Sequence, residues 1–298
     1  MLPVPRDVEA TLGDLIERAL AEDVGSGDVT TLATVPPDRR ARATFLAKQA
    51  GVLAGLAVAE RVFARVDPGL TVAWSVADGD AVSAGDVFGE VRGSARSLLT
   101  AERLALNFVQ RMGGIATAAR RLVDAARPAV VLDTRKTAPG LRALDKWAVR
   151  LGGARSHRAG LYDMVLVKDN HIAAAGGVEP ALRAVGEYLQ RHVSLPVEVE
   201  ARTLDEVDEV LALRADGLRV DRILLDNMVR RLPDGTFDTS LLRGAVARVG
   251  GALETEASGN VTEESAPAIA STGVDFVSSG ALTHSVKALD VSLELVLE

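Results

Sequence analysis

The 298-residue chain has no cysteine, which excludes disulfide frameworks, thiolate metal sites and cysteine nucleophiles together and fits a reducing compartment. No apolar run approaches the roughly 20 residues needed to span a bilayer. The opening MLPVPRDVEA has neither the basic nor the apolar region of a secretory signal, so the expectation is a cytoplasmic protein without a membrane partner. A net charge of −7 argues against a nucleic-acid backbone as partner, so any anion site must be local. No His-x-x-x-His or His-Glu-x-x-His spacing occurs, which leaves a histidine-based metal site without support. Lysine is scarce, with five (Lys48, Lys136, Lys146, Lys168, Lys287) against 29 arginines, so each lysine is informative.

What is present is an ordinary folding composition, 48% apolar and 25% charged, at a length that suits two domains or one large barrel with an appendage. Residues 8–22 have the spacing of an amphipathic helix entering the turn-rich run Asp23–Asp28. Residues 42–91 read as short strands around one helix at 55–66, with Asp-Gly hairpins between 72 and 91. Residues 97–126 are helical in pattern, and Gly113-Gly114 marks a break or a close backbone approach. The reading is an N-terminal α/β sandwich, 1–116, followed by a βα barrel, 117–284. After a short helical stretch at 284–289, the alternating segment VSLELVLE is expected to return to the first domain, so 285–298 completes the sandwich.

Beyond residue 128, six apolar runs end at Asp133, Lys168, Glu200, Asp226, Glu256 and Gly280, about 24 to 35 residues apart. That spacing predicts an incomplete barrel of about six βα units, with charged groups aimed into its mouth. Arg135 and Lys136 follow the first run, beside the hydroxyls of Thr134 and Thr137. Arg155, His157 and Arg158 lie in the next loop, and Lys168 ends the second run. So many cations at one face of an acidic protein call for a carboxylate- or phosphate-bearing ligand. Glu200 and Asp226 suit Mg²⁺ held largely by water and a substrate phosphate. The loops Ser258-Gly259-Asn260 and Ser278-Ser279-Gly280-Ala281, with His284 just beyond, suit a phosphate cradle. This inventory leaves open a Schiff-base aldolase using Lys168. A carrier module needs a lysine at a hairpin tip, and residues 49–135 contain none.

The ordered motifs resemble the quinolinate phosphoribosyltransferase family. They are Glu22-Asp23-Val24-Gly25-Ser26-Gly27-Asp28-Val29-Thr30, Ala101-Glu102-Arg103 with Asn107, Gly114-Ile115-Ala116-Thr117, Asp133-Thr134-Arg135-Lys136-Thr137 and His157-Arg158. Further on come Lys168-Asp169-Asn170-His171, Glu198-Val199-Glu200, Leu225-Asp226-Asn227-Met228 and Gly280-Ala281-Leu282-Thr283-His284-Ser285. The resemblance implies phosphoribosyl transfer from phosphoribosyl pyrophosphate to quinolinate with decarboxylation, in a homodimer, with Mg²⁺ and no organic cofactor. The resemblance also leaves open a related barrel enzyme acting on a heteroaromatic acid other than the family's own. It implies that Arg135, His157, Arg158 and Lys168 bind the quinolinate carboxylates, that Arg103 reaches in from a partner copy, and that Lys136 sits near the reacting groups. Glu200 and Asp226 would face the ribose and Mg²⁺-pyrophosphate, and Ser258, Gly259, Asn260, Gly280 and His284 would surround the 5-phosphate. The family shows Ser-Gly-Gly where this chain has Ser258-Gly259-Asn260, and asparagine tolerates left-handed backbone well enough to keep such a cradle.

Overall fold

Alternation along Arg40–Ala47 buries Ala41, Ala43, Phe45 and Ala47 on one face, and this strand, β1, organises the first of two units into which the chain divides. The computed structural model describes residues 4–298, so the first three residues of the N-terminal segment read above lie outside it. Unit 1 comprises the described residues up to Arg120, together with Ala138–Gly153 and Ser285–Glu298. Its further strands are β2 (Gly51–Val52), β3 (Thr71–Trp74), β4 (Ala81–Val82) and β5 (Val87–Ser94). The antiparallel sheet runs from the C-terminal strand Val291–Leu297 through β1 and β5 to β3. The C-terminal segment thus does return, with Ala41 opposite Leu297 and Ala47 opposite Val291. The stretch 72–91 is not the expected succession of hairpins, because β3 pairs directly with β5 while β4 pairs with β2. Left-handed turns at Gly79 and Gly85 (φ 97° and 95°) flank β4 and leave it only two residues, too few to take a place in the main sheet.

Helices α1 (Arg6–Val24), α2 (Val29–Thr34), α3 (Leu56–Val66), α4 (Ala95–Ala125) and α5 (Arg142–Leu151) follow the apolar spacings, and Phe45 packs on Phe63, Trp74 and Phe88 at ring distances of 6.1, 4.8 and 5.6 Å. Helix α4 runs unbroken through Gly113-Gly114. A Cβ on Gly114 would stand 2.3 Å from the Lys287 carbonyl oxygen, so the pair marks a close approach of the returning chain. Segment 138–153 groups with unit 1, where buried Asp145 accepts two hydrogen bonds from the Arg111 guanidinium at 3.0 and 2.8 Å.

Unit 2 comprises Arg121–Thr137 and Ala154–His284. All six apolar runs are strands: β6 (Val130–Leu132), β7 (Val165–Val167), β8 (Val197–Ala201), β9 (Arg222–Asp226), β10 (Glu254–Ser258) and β11 (Phe276–Ser278). They form one parallel sheet in the order β6–β11–β10–β9–β8–β7. In a closed barrel β6 would also pair with β7. Here a lone bridge between Leu132 and Arg155 runs along that edge instead, so the barrel is incomplete. Helices α6 (Asp169–Ala175), α7 (Val178–Arg191), α8 (Leu204–Ala215), α9 (Ser240–Val249), α10 (Ala266–Ala270) and α11 (Ala281–His284) connect or follow the strands. The helical stretch expected at 284–289 is not formed. The helix ends at His284, and the following chain is irregular up to Val291, with the Leu289 amide donating to the Gln110 carbonyl at 2.9 Å.

Candidate active site

Strand β6 stops at Leu132, and the next residue, fully buried Asp133, accepts the His157 backbone N–H at 2.8 Å. This tie sets the loop after β6 against the loop before β7. Thr134, Arg135 and Lys136 from the first loop and His157 and Arg158 from the second then line one cavity of about 320 Å³, which also takes in Lys168, Leu166, Leu224, Glu256, Ser258 and Ser278. Of the six cations read from the sequence, five line it. Arg155 is exposed and contributes its backbone to the bridge with Leu132. Burial and the neighbouring Arg135 charge lower the Arg158 pKa, so two close cations stand ready for an anion that relieves their repulsion.

The floor is a buried polar cluster. His157 Nε2 lies 3.0 Å from Glu198 and 3.5 Å from Glu256, while Arg222 Nη1 lies 3.1 Å from Glu256 and its guanidinium stacks 4.0 Å over the Phe276 ring. Glu198 and Glu256 belong to β8 and β10, which have β9 between them. In a flat sheet those strands would be roughly 9.5 Å apart, so one imidazole nitrogen meeting both carboxylates records the inward curl of the barrel. On the other side of the ring, the Arg158 amide donates to Nδ1 at 2.7 Å. Both ring nitrogens are thus engaged within the protein, and His157 ties the Arg158 loop to the floor. Burial disfavours charge on this imidazole, but hydrogen bonds and charge from Glu198 and Glu256 outweigh it and push the pKa up to about 9. Burial raises the Glu198 carboxyl. It also works against the Glu256 carboxylate, which His157, the Ser278 hydroxyl and Arg222 nevertheless hold below its ordinary range.

Beside the cavity, Lys168 Nζ lies 3.3 Å from Glu200. Arg202, which the sequence reading passed over, reaches Glu200 Oε1 at 2.9 Å, Asp169 at 2.9 Å and Asp226 at 3.4 Å. The pair Glu200 and Asp226 therefore faces a common point that already accepts positive charge. Its all-oxygen donors and shared orientation fit Mg²⁺.

The two small-residue loops are shaped by sterics. Gly259 has φ 92°, and a Cβ there would stand 2.2 Å from Asn227 Oδ1. Asn260 takes φ 53°, the left-handed conformation that asparagine accepts. Ser279 donates to the Val261 carbonyl at 2.9 Å, and Gly280 sits so close to Lys136 and His284 that a Cβ would fall 2.7 Å from Lys136 Cδ and 3.0 Å from His284 Cδ2. The Thr283 hydroxyl donates to the Lys136 carbonyl at 2.9 Å, joining α11 to the loop after β6. Arg103 is an exposed residue of α4, in unit 1.

Sequence reasoning gave Glu198 and Arg222 no role in the site and read Glu256 only as one of the strand-end charges aimed into the mouth. A signal was present in VEVE, which places Glu198 two residues before Glu200 and so on the same face of the strand.

The profile of the quinolinate phosphoribosyl transferase C-terminal domain matches residues 115–294, and that of the N-terminal domain matches residues 28–113. The chain belongs to this family. It is 55% identical over 287 residues to the chloroplastic nicotinate-nucleotide pyrophosphorylase (carboxylating) of Arabidopsis thaliana, covering 95% of this chain and 82% of the plant protein. A probable nicotinate-nucleotide pyrophosphorylase (carboxylating) of Synechocystis is 42% identical over 94% of this chain and 91% of its own length. Among solved structures, NadC from Streptococcus pyogenes superposes with a TM-score of 0.88 at 38% identity, covering 100% of this chain and 99% of that one. The chain is a phosphoribosyltransferase of this family, with its mixed α/β fold.

Proposed function

We propose that the chain joins quinolinate to the ribose of phosphoribosyl pyrophosphate and releases pyrophosphate and CO₂, forming nicotinate mononucleotide for pyridine nucleotide and NAD biosynthesis. The observation that carries this reading is the convergence of Arg135, Arg158 and Lys168 on one cavity, with Glu200 reached directly from Lys168 and joined to Asp226 through Arg202. Two carboxylates on adjacent ring carbons match such a cation set, and a buried arginine left without its anion is costly. The floor cluster keeps the Arg158 loop in place.

Glu200 and Asp226 face the sugar, where their charge stabilises the positive character that develops at C1 as pyrophosphate departs. Glu200 and Asp226 would hold Mg²⁺, which when bound would supply charge neutralisation for the departing pyrophosphate. Lys136 lies against Gly280 and His284 and reaches the diphosphate end of the substrate, while the amides of the Ser258–Asn260 and Ser279–Ala281 loops cradle the 5-phosphate. The ring nitrogen forms the new bond to C1 as the bond to pyrophosphate breaks. The resulting pyridinium accepts the electron pair left by CO₂, and a proton then fills C2.

The same reading includes a homodimer in which Arg103 of one copy completes the cavity of the other. An apolar groove that shares Arg158 and Leu166 with the cavity, and exposes Leu161, Tyr162, Tyr188 and Val193, supports it. No described helix is long and apolar enough to cross a membrane, and the cysteine-free composition supports a cytoplasmic setting. The decisive assay supplies quinolinate, phosphoribosyl pyrophosphate and Mg²⁺. Nicotinate mononucleotide, pyrophosphate and CO₂ should form in equal amounts, and absence of all three would refute the proposal.

A further inference from the structure

Arg202 is the residue that the reaction as described leaves unused. It follows β8 directly and stands before the N-cap of α8, where its backbone is pinned. The Glu206 carboxylate accepts the Arg202 amide at 2.6 Å and the Thr203 amide at 3.2 Å, while the Glu206 amide donates to the Thr203 hydroxyl at 3.2 Å. From that fixed base the guanidinium reaches three carboxylates, at 2.9 Å to Glu200, 2.9 Å to Asp169 and 3.4 Å to Asp226. Glu200 is 5% exposed, and Arg202 and Lys168, the latter at 3.3 Å, are the cations that offset the cost of burying its carboxylate. The Arg202 side chain is 47% exposed, so its head borders solvent and has room to move.

A divalent ion held between Glu200 and Asp226 and the Arg202 guanidinium compete for the same oxygens. A free metal ion must expel the arginine and gains only two carboxylates. A metal ion that arrives with a diphosphate brings oxygens to which the expelled guanidinium can donate in bidentate fashion, the partner arginine suits best. We propose that Arg202 is a built-in counter-cation that closes Glu200 and Asp226 to free divalent metal and yields them to a metal–diphosphate, which it then helps to hold. Asp169 is the anchor that keeps the arginine from leaving the site when it yields. This role rests on the metal-binding part of the proposed function.

The test is direct binding of Mn²⁺ to the substrate-free protein, followed by water proton relaxation, with and without inorganic pyrophosphate. Wild type should bind free Mn²⁺ weakly. Arg202→Gln should bind it at least tenfold tighter and Arg202→Lys, which keeps the charge, should stay near wild type. With pyrophosphate present the order should reverse, with Arg202→Gln binding Mn²⁺–pyrophosphate at least fivefold more weakly than wild type. The gain in Arg202→Gln should vanish when Glu200→Gln is added. Equal Mn²⁺ affinity in wild type and Arg202→Gln, with binding still abolished by Glu200→Gln, overturns the role of Arg202 alone. Binding indifferent to Glu200→Gln overturns both this role and the placement of the metal.

Discussion

His157 Nε2 stands 3.0 Å from a carboxylate oxygen of Glu198, and the two side chains are 7% and 0% exposed. The contact joins the loop that carries Arg158 to the floor strand β8, so its protonation is a matter of stability. Below about pH 6.5 the imidazole is charged in both folded and unfolded chains, and the carboxylates' attraction is present in full. As pH rises toward the folded value of about 9, the unfolded chain has already lost this proton, and the stabilisation fades. The difference in unfolding free energy between wild type and His157→Gln should therefore shrink between pH 6.5 and 9. The upper figure is on the order of 3 kcal/mol, because the Arg158 amide on Nδ1 opposes the second proton. Urea denaturation at several pH values measures it. A difference that stays constant over this range would mean that the imidazole is neutral throughout.

Arg135→Ala and Arg158→Ala should each weaken quinolinate binding by about 2 to 5 kcal/mol, the range for removing one member of a buried, hydrogen-bonded charge pair. Calorimetry with either variant gives the number. Near-normal affinity in both would remove them from the carboxylate pocket.

Gly259 is barred from carrying a side chain twice over, by its φ of 92° and by Asn227 Oδ1 at 2.2 Å from an added Cβ. Gly280 meets only the flexible end of Lys136 at 2.7 Å and the His284 ring. Gly259→Ala should therefore raise the KM for phosphoribosyl pyrophosphate by more than tenfold, as Asn227 is driven off the 2.6 Å hydrogen bond it makes to Asp226. Gly280→Ala should raise it less. Steady-state kinetics that reverse the order would contradict this account of the cradle.

Mixing Arg103→Ala with Lys168→Ala, each inactive alone, tests the shared dimer. Random exchange should restore roughly a quarter of wild-type activity, because each mixed dimer has one intact site. Mixed dimers verified by mass spectrometry yet without activity would show that Arg103 serves no neighbouring site.

The strand ends were legible because a barrel strand is an apolar run, closed here by a charge in five cases of six, and the residues that end the runs, from Asp133 to Gly280, lie on strands or shortly after them. The hairpin reading of 72–91 failed because turn signals locate reversals without saying which strand each segment pairs with. The floor was hidden for a related reason. Glu198, Glu256 and Arg222 neutralise one another across three strands, and a sequence shows the charges but not the curl that brings them to one histidine. Arg202 was missed because an arginine between a strand end and a helix cap reads as surface until its reach to Glu200 and Asp226 is seen.

The most direct measurement is kcat/KM for quinolinate against nicotinate, with phosphoribosyl pyrophosphate and Mg²⁺ held constant. An acid lacking one carboxylate leaves part of the Arg135, Arg158 and Lys168 set without a partner, so quinolinate should be preferred by at least a hundredfold, roughly 3 kcal/mol of transition-state binding. Equal turnover of the two acids would contradict the account.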